Sequence, residues 1–192
     1  MVAGFDKFKE HFAAFQDEFI IIGGTAVQLV RGENEHTRVT RDIDLLVVAE
    51  RMSPEFSAAF HAFLSAGGYS CYFSKNGKPH FYRFIQPKTE GYPDMIELLS
   101  AAEMDGASFM PLPDVPDASM SAIVLGRSYY EYALAHSTRE YGLPCLTREA
   151  LSPSAQLVIE FCAEYPFLSA LVAAAPKAQS QTSPLSLPKA GE

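Results

Sequence analysis

The sequence has little positive charge, few cysteines and no long apolar run. Its 15 lysines and arginines face 23 aspartates and glutamates, so attraction of the whole chain to nucleic acid is not expected at a net charge of −8. The three cysteines are far apart and form neither a CxxC pair nor a disulfide framework, which fits a reducing compartment. No run is long enough to span a membrane, and the N-terminus lacks a signal-peptide pattern. We therefore expect a cytoplasmic protein with no membrane partner.

Positive charge is concentrated in two short stretches, residues 31–41 and 75–88. Each is a candidate local patch for nucleic acid, although solvated loop charge is the simpler interpretation of the second stretch, which includes Arg83. The five histidines show no spacing typical of metal ligands.

Hydrophobic periodicity predicts a mixture of strands and helices. Four phenylalanines between positions 5 and 15 recur at spacings of three and four, which is typical of one helix face. Short apolar runs predict strands at 19–22, 43–48, 69–73, 80–85, 95–99, 121–125 and 143–146. Helices are predicted near residues 25–30, 53–66, 129–136 and 154–165. The pattern indicates an α/β or α+β sheet packed with helices.

Turn and breaker residues punctuate these elements. Thr25 is a candidate N-cap, Ser53 with Pro54 predicts a helix start, and Asn76-Gly77 predicts a hairpin turn. The proline-containing residues 102–120 are predicted to be a connection without strands. Residues 175–192 have a composition that cannot bury a core, which predicts a disordered tail.

An acid pair opens the second predicted strand. Residues two apart on a strand point to the same face, so Asp42 and Asp44 project together. Their repulsion makes burial costly unless a cation lies between them. Mg²⁺ binds one or two such carboxylates together with substrate phosphates. A solvated strand edge is the alternative interpretation of this pair.

A glycine pair follows the first predicted strand. Gly23 and Gly24 allow backbone N–H groups to approach a ligand closely, and the start of the next helix favours anions. The Thr25 hydroxyl is a further candidate donor to a phosphate. A tight turn with a capping threonine is the alternative interpretation.

The order of these parts, "IIGGTAVQL" and then "TRDIDLLV", resembles the nucleotidyltransferase superfamily, and most closely its AbiEii/AbiGii-type toxin family. The resemblance covers about residues 15–150. It implies the minimal nucleotidyltransferase fold, a mixed sheet flanked by helices with a short helical C-terminal part. Residues 1–120 would form the core, residues 121–174 a C-terminal extension or partial helical domain, and residues 175–192 the tail.

The superfamily has a third carboxylate on a later strand, and Glu97 in "MIELL" is the favoured counterpart. Asp94 is the competitor, since it follows Pro93 at the strand edge and is more easily solvated. An outward-facing side chain on a half-exposed strand is the alternative interpretation of Glu97.

The resemblance also implies roles for these residues. Asp42, Asp44 and Glu97 would be catalytic and would hold Mg²⁺ or Mn²⁺ on a nucleoside triphosphate, with Glu97 as base toward the acceptor hydroxyl. The phosphates would be bound by Gly23, Gly24 and Thr25, and by Arg41 or Arg38.

The resemblance implies an enzyme that transfers a nucleotide, from ATP or another triphosphate, to RNA, especially tRNA, or to a protein. It further implies the toxin of a toxin–antitoxin pair, with a cognate antitoxin as partner. The sequence departs from the family after "GLPCLTREAL", where the expected helix with a lysine is missing. Two alternatives therefore stay open, transfer to a small molecule such as an aminoglycoside, and an inactive domain of this fold that binds a partner.

Overall fold

The computed structural model describes residues 1–32, 40–73, 79–101, 109–111, 121–151 and 153. The α-helices are α1 (Phe5–His11), α2 (Gly23–Arg31), α3 (Pro54–Gly67) and α4 (Arg127–Ala135), with a short 3₁₀ helix at Ala49–Arg51. The strands are β1 (Phe19–Ile22), β2 (Asp42–Val47), β3 (Ser70–Phe73), β4 (Pro79–Ile85), β5 (Met95–Ala101), β6 (Phe109–Pro111), β7 (Ser121–Leu125), β8 (Ser137–Thr138) and β9 (Cys145–Leu146).

These strands form one mixed sheet. Its main path runs β3-β4-β5-β2-β1-β9-β8, and β7 pairs with the far end of β5 and with β6. The central strands β2 and β5 are parallel, whereas β1 is antiparallel to β2 and β4 is antiparallel to β5. The chain is therefore an α/β protein with a mixed sheet, as the sequence predicts. Strands from residues 121–146 belong to the same sheet as those from residues 1–120.

The register of the central strands gives the sheet two different faces. Residues paired across neighbouring strands project to the same face, and alternate residues project to opposite faces. One side, here called the aromatic face, carries Phe19, Ile21, Ile43, Leu45, Val47, Phe84, Ile96 and Leu98. The other side, here called the acidic face, carries Asp42, Asp44, Glu97 and Arg83.

Helices α1 and α3 cover the aromatic face. The ring centroids of Phe8 and Phe19 are 6.1 Å apart, those of Phe12 and Phe63 are 5.3 Å apart, and those of Phe60 and Phe84 are 5.6 Å apart. Aromatic pairs of this kind stabilise a core by about 0.5–1.5 kcal/mol each beyond the area they bury. The main core therefore lies on the side of the sheet opposite the acidic residues.

Helix α3 has the ends that its sequence predicts. The Ser53 hydroxyl accepts a hydrogen bond from the Phe56 N–H at 3.1 Å, and Pro54 occupies the first turn. At the other end, Gly68 adopts the left-handed conformation with φ of 64°. Ser53 also donates from its backbone N–H to Glu18 Oε2 at 2.7 Å, which ties the helix start to the segment before β1.

Two predictions about local structure are wrong, and one short strand has no predicted counterpart. Helix α2 begins at Gly23, so Thr25 lies inside its first turn and is not the N-cap, a position that Ile22 occupies. A short strand, β6, lies within residues 102–120, and it forms because it pairs with β7. Strand β8 was not predicted, since two residues carry no periodic signal.

Other predictions fall outside the described residues. These are the Asn76-Gly77 turn, the helix at residues 154–165 and the tail at residues 175–192. Within the described residues, no helix is both long enough and apolar enough to cross a membrane.

Removal of the α3 cap tests this local account. The variant Ser53→Ala should lower the free energy of unfolding by about 1 kcal/mol, because the Phe56 N–H loses its acceptor and the Glu18 carboxylate loses the Ser53 hydroxyl as a donor. Urea unfolding measures the loss as a lower midpoint with an unchanged slope. The control Ser65→Ala changes an exposed serine of the same helix and should stay within about 0.5 kcal/mol of the parent. Equal losses in the two variants would contradict the cap.

Candidate functional site

Three charged side chains form a row across the sheet. Asp44 of β2 is paired in register with Glu97 of β5, and Glu97 is paired with Arg83 of β4. All three therefore project to the acidic face. The Arg83 guanidinium and the Glu97 carboxylate form an ion pair, and their side chains are only 7% and 13% exposed.

Asp42 lies next to this row, two residues before Asp44 on the same face of β2. Its carboxylate Oδ1 accepts hydrogen bonds from the Thr40 hydroxyl and, at 3.3 Å, from the Arg41 N–H. These donors limit the orientations of the Asp42 carboxylate.

Gly23 lies directly against Asp44. Ile22 is paired in register with Asp44, so the next residue begins α2 beside that carboxylate. Gly23 has a φ of +62°, and a Cβ atom there would overlap Asp44 Oδ2. A Cβ atom on Gly24 would lie 2.7 Å from Thr40 Oγ1. Both positions therefore favour glycine for steric reasons, since only glycine lets the helix start come this close to the acid pair.

Thr25 stabilises the backbone at the site. Its side chain is fully buried, and its hydroxyl donates to the Asp42 carbonyl at 2.5 Å. This bond ties the first turn of α2 to the beginning of β2, so it fixes the distance between the glycines and the acids. The Thr25 hydroxyl is engaged inside the protein in this arrangement.

The acidic face is electrostatically strained at Asp44. Burial raises the pKa of this carboxyl well above its ordinary value, and the nearby Glu97 and Asp42 charges raise it further. Arg83 opposes the increase. Additional positive charge at the site would lower the pKa of Asp44 and favour its ionised form.

The pKa of the Glu97 carboxyl is also subject to opposing effects, but Arg83 has a larger part in it than at Asp44. Burial raises the pKa of its carboxyl, and the charge and hydrogen bond of Arg83 act in the opposite direction. Asp42 adds a smaller increase. Arg83 is thus the residue that offsets the cost of burying Glu97 in charged form.

Asp42 and Asp44 fit a single hard cation. They share a face, they repel each other, and Asp44 is half-buried beside a helix start that favours phosphate. No group of three or more histidine, cysteine, aspartate or glutamate side chains comes together as a metal-binding set in the described part of the chain. Asp42 and Asp44 are thus the two carboxylates that could hold a cation here, and Mg²⁺ typically binds one or two carboxylates.

The other predicted site residues lie at different distances from this centre. Asp94 is exposed and precedes β5, so it is not part of the row. Arg41 is exposed, and only its backbone N–H contacts Asp42. Arg38 lies outside the described residues.

Two residues of the site were not predicted from the sequence. Arg83 was interpreted as solvated charge, but it is buried and paired with Glu97. Its position inside the apolar run "HFYRFI" was the available signal, because a charge among buried strand residues requires a partner. Thr40 precedes the acid pair in the sequence without any signal of its own, and its hydrogen bond to Asp42 forms only in the folded chain.

Comparison with known proteins does not identify the chain. No protein-family model matches it, and no curated protein matches it significantly.

The strain at Asp44 has a consequence for stability. Because its folded pKa is raised, the favourable contribution of the protonated form is present at low pH and is lost as pH rises towards the folded pKa. Without divalent metal, Asp44→Asn should therefore be more stable than the parent at neutral pH, and the difference should shrink as pH falls. Thermal unfolding from pH 4 to pH 8 measures this. The control Asp94→Asn, at an exposed position, should show no such trend, and a parallel trend in both variants would contradict the account.

The contact between Gly23 and Asp44 can be tested by adding one methyl group. Gly23→Ala and Gly91→Ala both place alanine at positive φ, which costs about 1–2 kcal/mol. Only Gly23→Ala also overlaps a carboxylate, whereas Gly91→Ala meets only the flexible Lys7 side chain. Overpacking should add about 1–3 kcal/mol to the cost at Gly23, measured by urea unfolding. Equal losses at the two positions would show that the glycine does not pack on Asp44.

Proposed function

We propose that this chain is a Mg²⁺- or Mn²⁺-dependent nucleotidyltransferase that moves a nucleotide from a nucleoside triphosphate to an acceptor hydroxyl and releases pyrophosphate. The observation that carries the proposal is the approach of Gly23, at the start of α2, to the acid pair Asp42 and Asp44. A triphosphate needs backbone N–H donors and a divalent cation side by side, and this arrangement has a place for both.

The order and direction of the elements support the minimal nucleotidyltransferase fold. A buried strand runs into a glycine-started helix, the chain returns as an antiparallel strand with Asp42 and Asp44, and a parallel neighbour carries Glu97. The motif order in the sequence, strand with Gly-Gly and then strand with Asp-x-Asp, corresponds to this path.

In the proposed site the helix start holds the phosphates. The first N–H groups of α2, at Gly23, Gly24 and Thr25, have no partner within the helix and carry the positive end of its dipole. Arg41 is exposed beside Asp42, and it would neutralise developing charge, as would Arg38, three positions earlier in the sequence.

The carboxylates have separate tasks in this proposal. Asp42 and Asp44 hold the cation, which supplies charge stabilisation on the phosphate oxygens when it is bound. Glu97 is the carboxylate available as a base toward the acceptor hydroxyl, and its ion pair with Arg83 favours the ionised form that a base requires.

The acceptor follows from the sequence resemblance. RNA, in particular tRNA, or a protein hydroxyl is the acceptor proposed, and the chain would act as the toxin of a toxin–antitoxin pair. A small-molecule acceptor such as an aminoglycoside is the second candidate, and the formal net charge of −8 favours it over a long polyanion. A partner-binding domain without activity is the third, although burying this many charges for no chemistry would be costly.

Binding of nucleoside triphosphates is the first test. Calorimetry with ATP, CTP, GTP and UTP in Mg²⁺ should detect binding to the parent protein, with no binding in EDTA and at least about tenfold weaker binding to Asp44→Asn. The matched control Asp94→Asn removes a nearby exposed carboxylate outside the row and should bind as the parent does. Absence of binding by all four triphosphates, or equal loss in both variants, would reject the nucleotide site.

The acceptor is identified by label transfer. Triphosphates labelled at the α-phosphate should pass label to tRNA, to a protein or to an aminoglycoside in the presence of Mg²⁺, and Asp42→Asn should abolish the transfer. Label that appears on RNA and is lost on nuclease treatment would support the RNA acceptor. Triphosphate binding without transfer to any of these acceptors would favour the partner-binding reading of the same fold.

A further inference from the structure

Arg83 is the only cationic side chain in the row formed with Glu97 and Asp44. It is 5% exposed, it lies on β4 in register with Glu97, and its guanidinium is in contact with that carboxylate. Glu97 in turn lies in register with Asp44. Across the sheet, the Arg83 guanidinium is therefore followed by the Glu97 carboxylate and then by the Asp44 carboxylate. Gly23 lies next to Asp44.

The formal charges of this cluster favour one divalent cation over two. The three carboxylates and one guanidinium carry a net charge of −2, which a single divalent ion neutralises. A second divalent ion would have to lie beside a buried guanidinium, where like charges repel strongly because screening by water is weak. A metal that took Glu97 Oε1 would also break the buried ion pair between Glu97 and Arg83, which is costly.

The geometry also sets Asp42 and Asp44 apart from Glu97. Asp42 and Asp44 share one strand and lie beside the start of α2, whereas Glu97 is held from the opposite side by β4. Within the described residues the three carboxylates do not gather as a three-ligand set. Glu97 is thus directed to Arg83, and the other two acids are left for a cation.

We propose that Arg83 takes the place of a second metal ion, so that the acidic face binds one divalent cation, at Asp42 and Asp44, and Glu97 is not a ligand. Arg83 is then a positioning residue that pairs with Glu97 and holds its carboxylate next to the metal site. The proposal rests on the proposed function for the identity of the phosphate substrate, but its prediction about metal binding stands without nucleotide.

The stoichiometry of Mn²⁺ binding tests this directly. Titration of the whole chain with Mn²⁺ alone, followed by the electron paramagnetic resonance signal of free Mn²⁺, should show one site per chain. Asp44→Asn should weaken this site by about a hundredfold or more, since loss of residues that merely support a ligand already costs about 10–100-fold. Two sites in the parent protein would overturn the proposal.

A double variant tests whether Glu97 is a metal ligand without removing only one charge of its ion pair. Arg83→Gln with Glu97→Gln removes both charges of the ion pair together, so the fold is expected to survive. It should still bind one Mn²⁺, with an affinity within about threefold of the parent. A loss of tenfold or more, about 1.4 kcal/mol, would mean that Glu97 is a ligand and would overturn the proposal.

The single variant Arg83→Gln tests whether Arg83 takes the place of a second metal ion. It frees the Glu97 carboxylate, so the folded variant should gain a second, weaker Mn²⁺ site, and an unchanged single site would overturn this part. Circular dichroism establishes that the variant is folded, and the double variant decides the question if it is not.

The outcomes also separate this inference from the proposed function. One Mn²⁺ that depends on Asp44 but not on Glu97, in a chain that binds no triphosphate, would support the inference and reject the function. Two Mn²⁺ ions in a chain that binds triphosphates would do the reverse. No Mn²⁺ binding to the parent protein would reject both.

Discussion

The pairing register of β2 with β5, and of β5 with β4, is the constraint on which the rest of the structure depends. It places Asp44, Glu97 and Arg83 in one row and directs Ile43, Leu45, Ile96 and Phe84 to the opposite face. A slip of one residue would exchange the two faces, because side chains alternate with a period of two. The acids would then enter a core of stacked phenylalanines, and the apolar residues would enter the site. Burial of one face therefore enforces the geometry of the other.

Burial of the carboxylates on the acidic face is electrostatically unfavourable. Packing of the aromatic face offsets this cost. Asp44 and Glu97 both have raised pKa values because burial and neighbouring carboxylates disfavour their charges. Arg83 opposes both increases, and it forms an ion pair with Glu97. Sites that break the usual rules of burial are where function is expected, since structural stability alone would favour apolar residues there. The strain at Asp44 is consistent with a cation that binds together with substrate.

Local features of the fold could be predicted from the sequence, but the contacts between distant segments could not. The bounds of β1 and β7 match their predicted ranges, and the cap and C-terminus of α3 follow from Ser53, Pro54 and Gly68. Placement of Asp42 and Asp44 on one face follows from alternation alone. Arg83 was misjudged because its partner is 14 residues away on another strand and pairing of that kind leaves no periodic signal. The sequence predicts Thr25 as a cap, because its actual partner, the Asp42 carbonyl, comes close only when β2 is in place.

Anomalous diffraction from crystals grown with Mn²⁺ and a non-hydrolysable nucleoside triphosphate tests the central claim most directly. We predict one Mn²⁺ peak per chain, coordinated by Asp42, by Asp44 and by phosphate oxygens, with the triphosphate at the start of α2 and Glu97 still paired with Arg83. A peak that contacts neither aspartate, or nucleotide bound away from Gly23 and Gly24, would contradict the account.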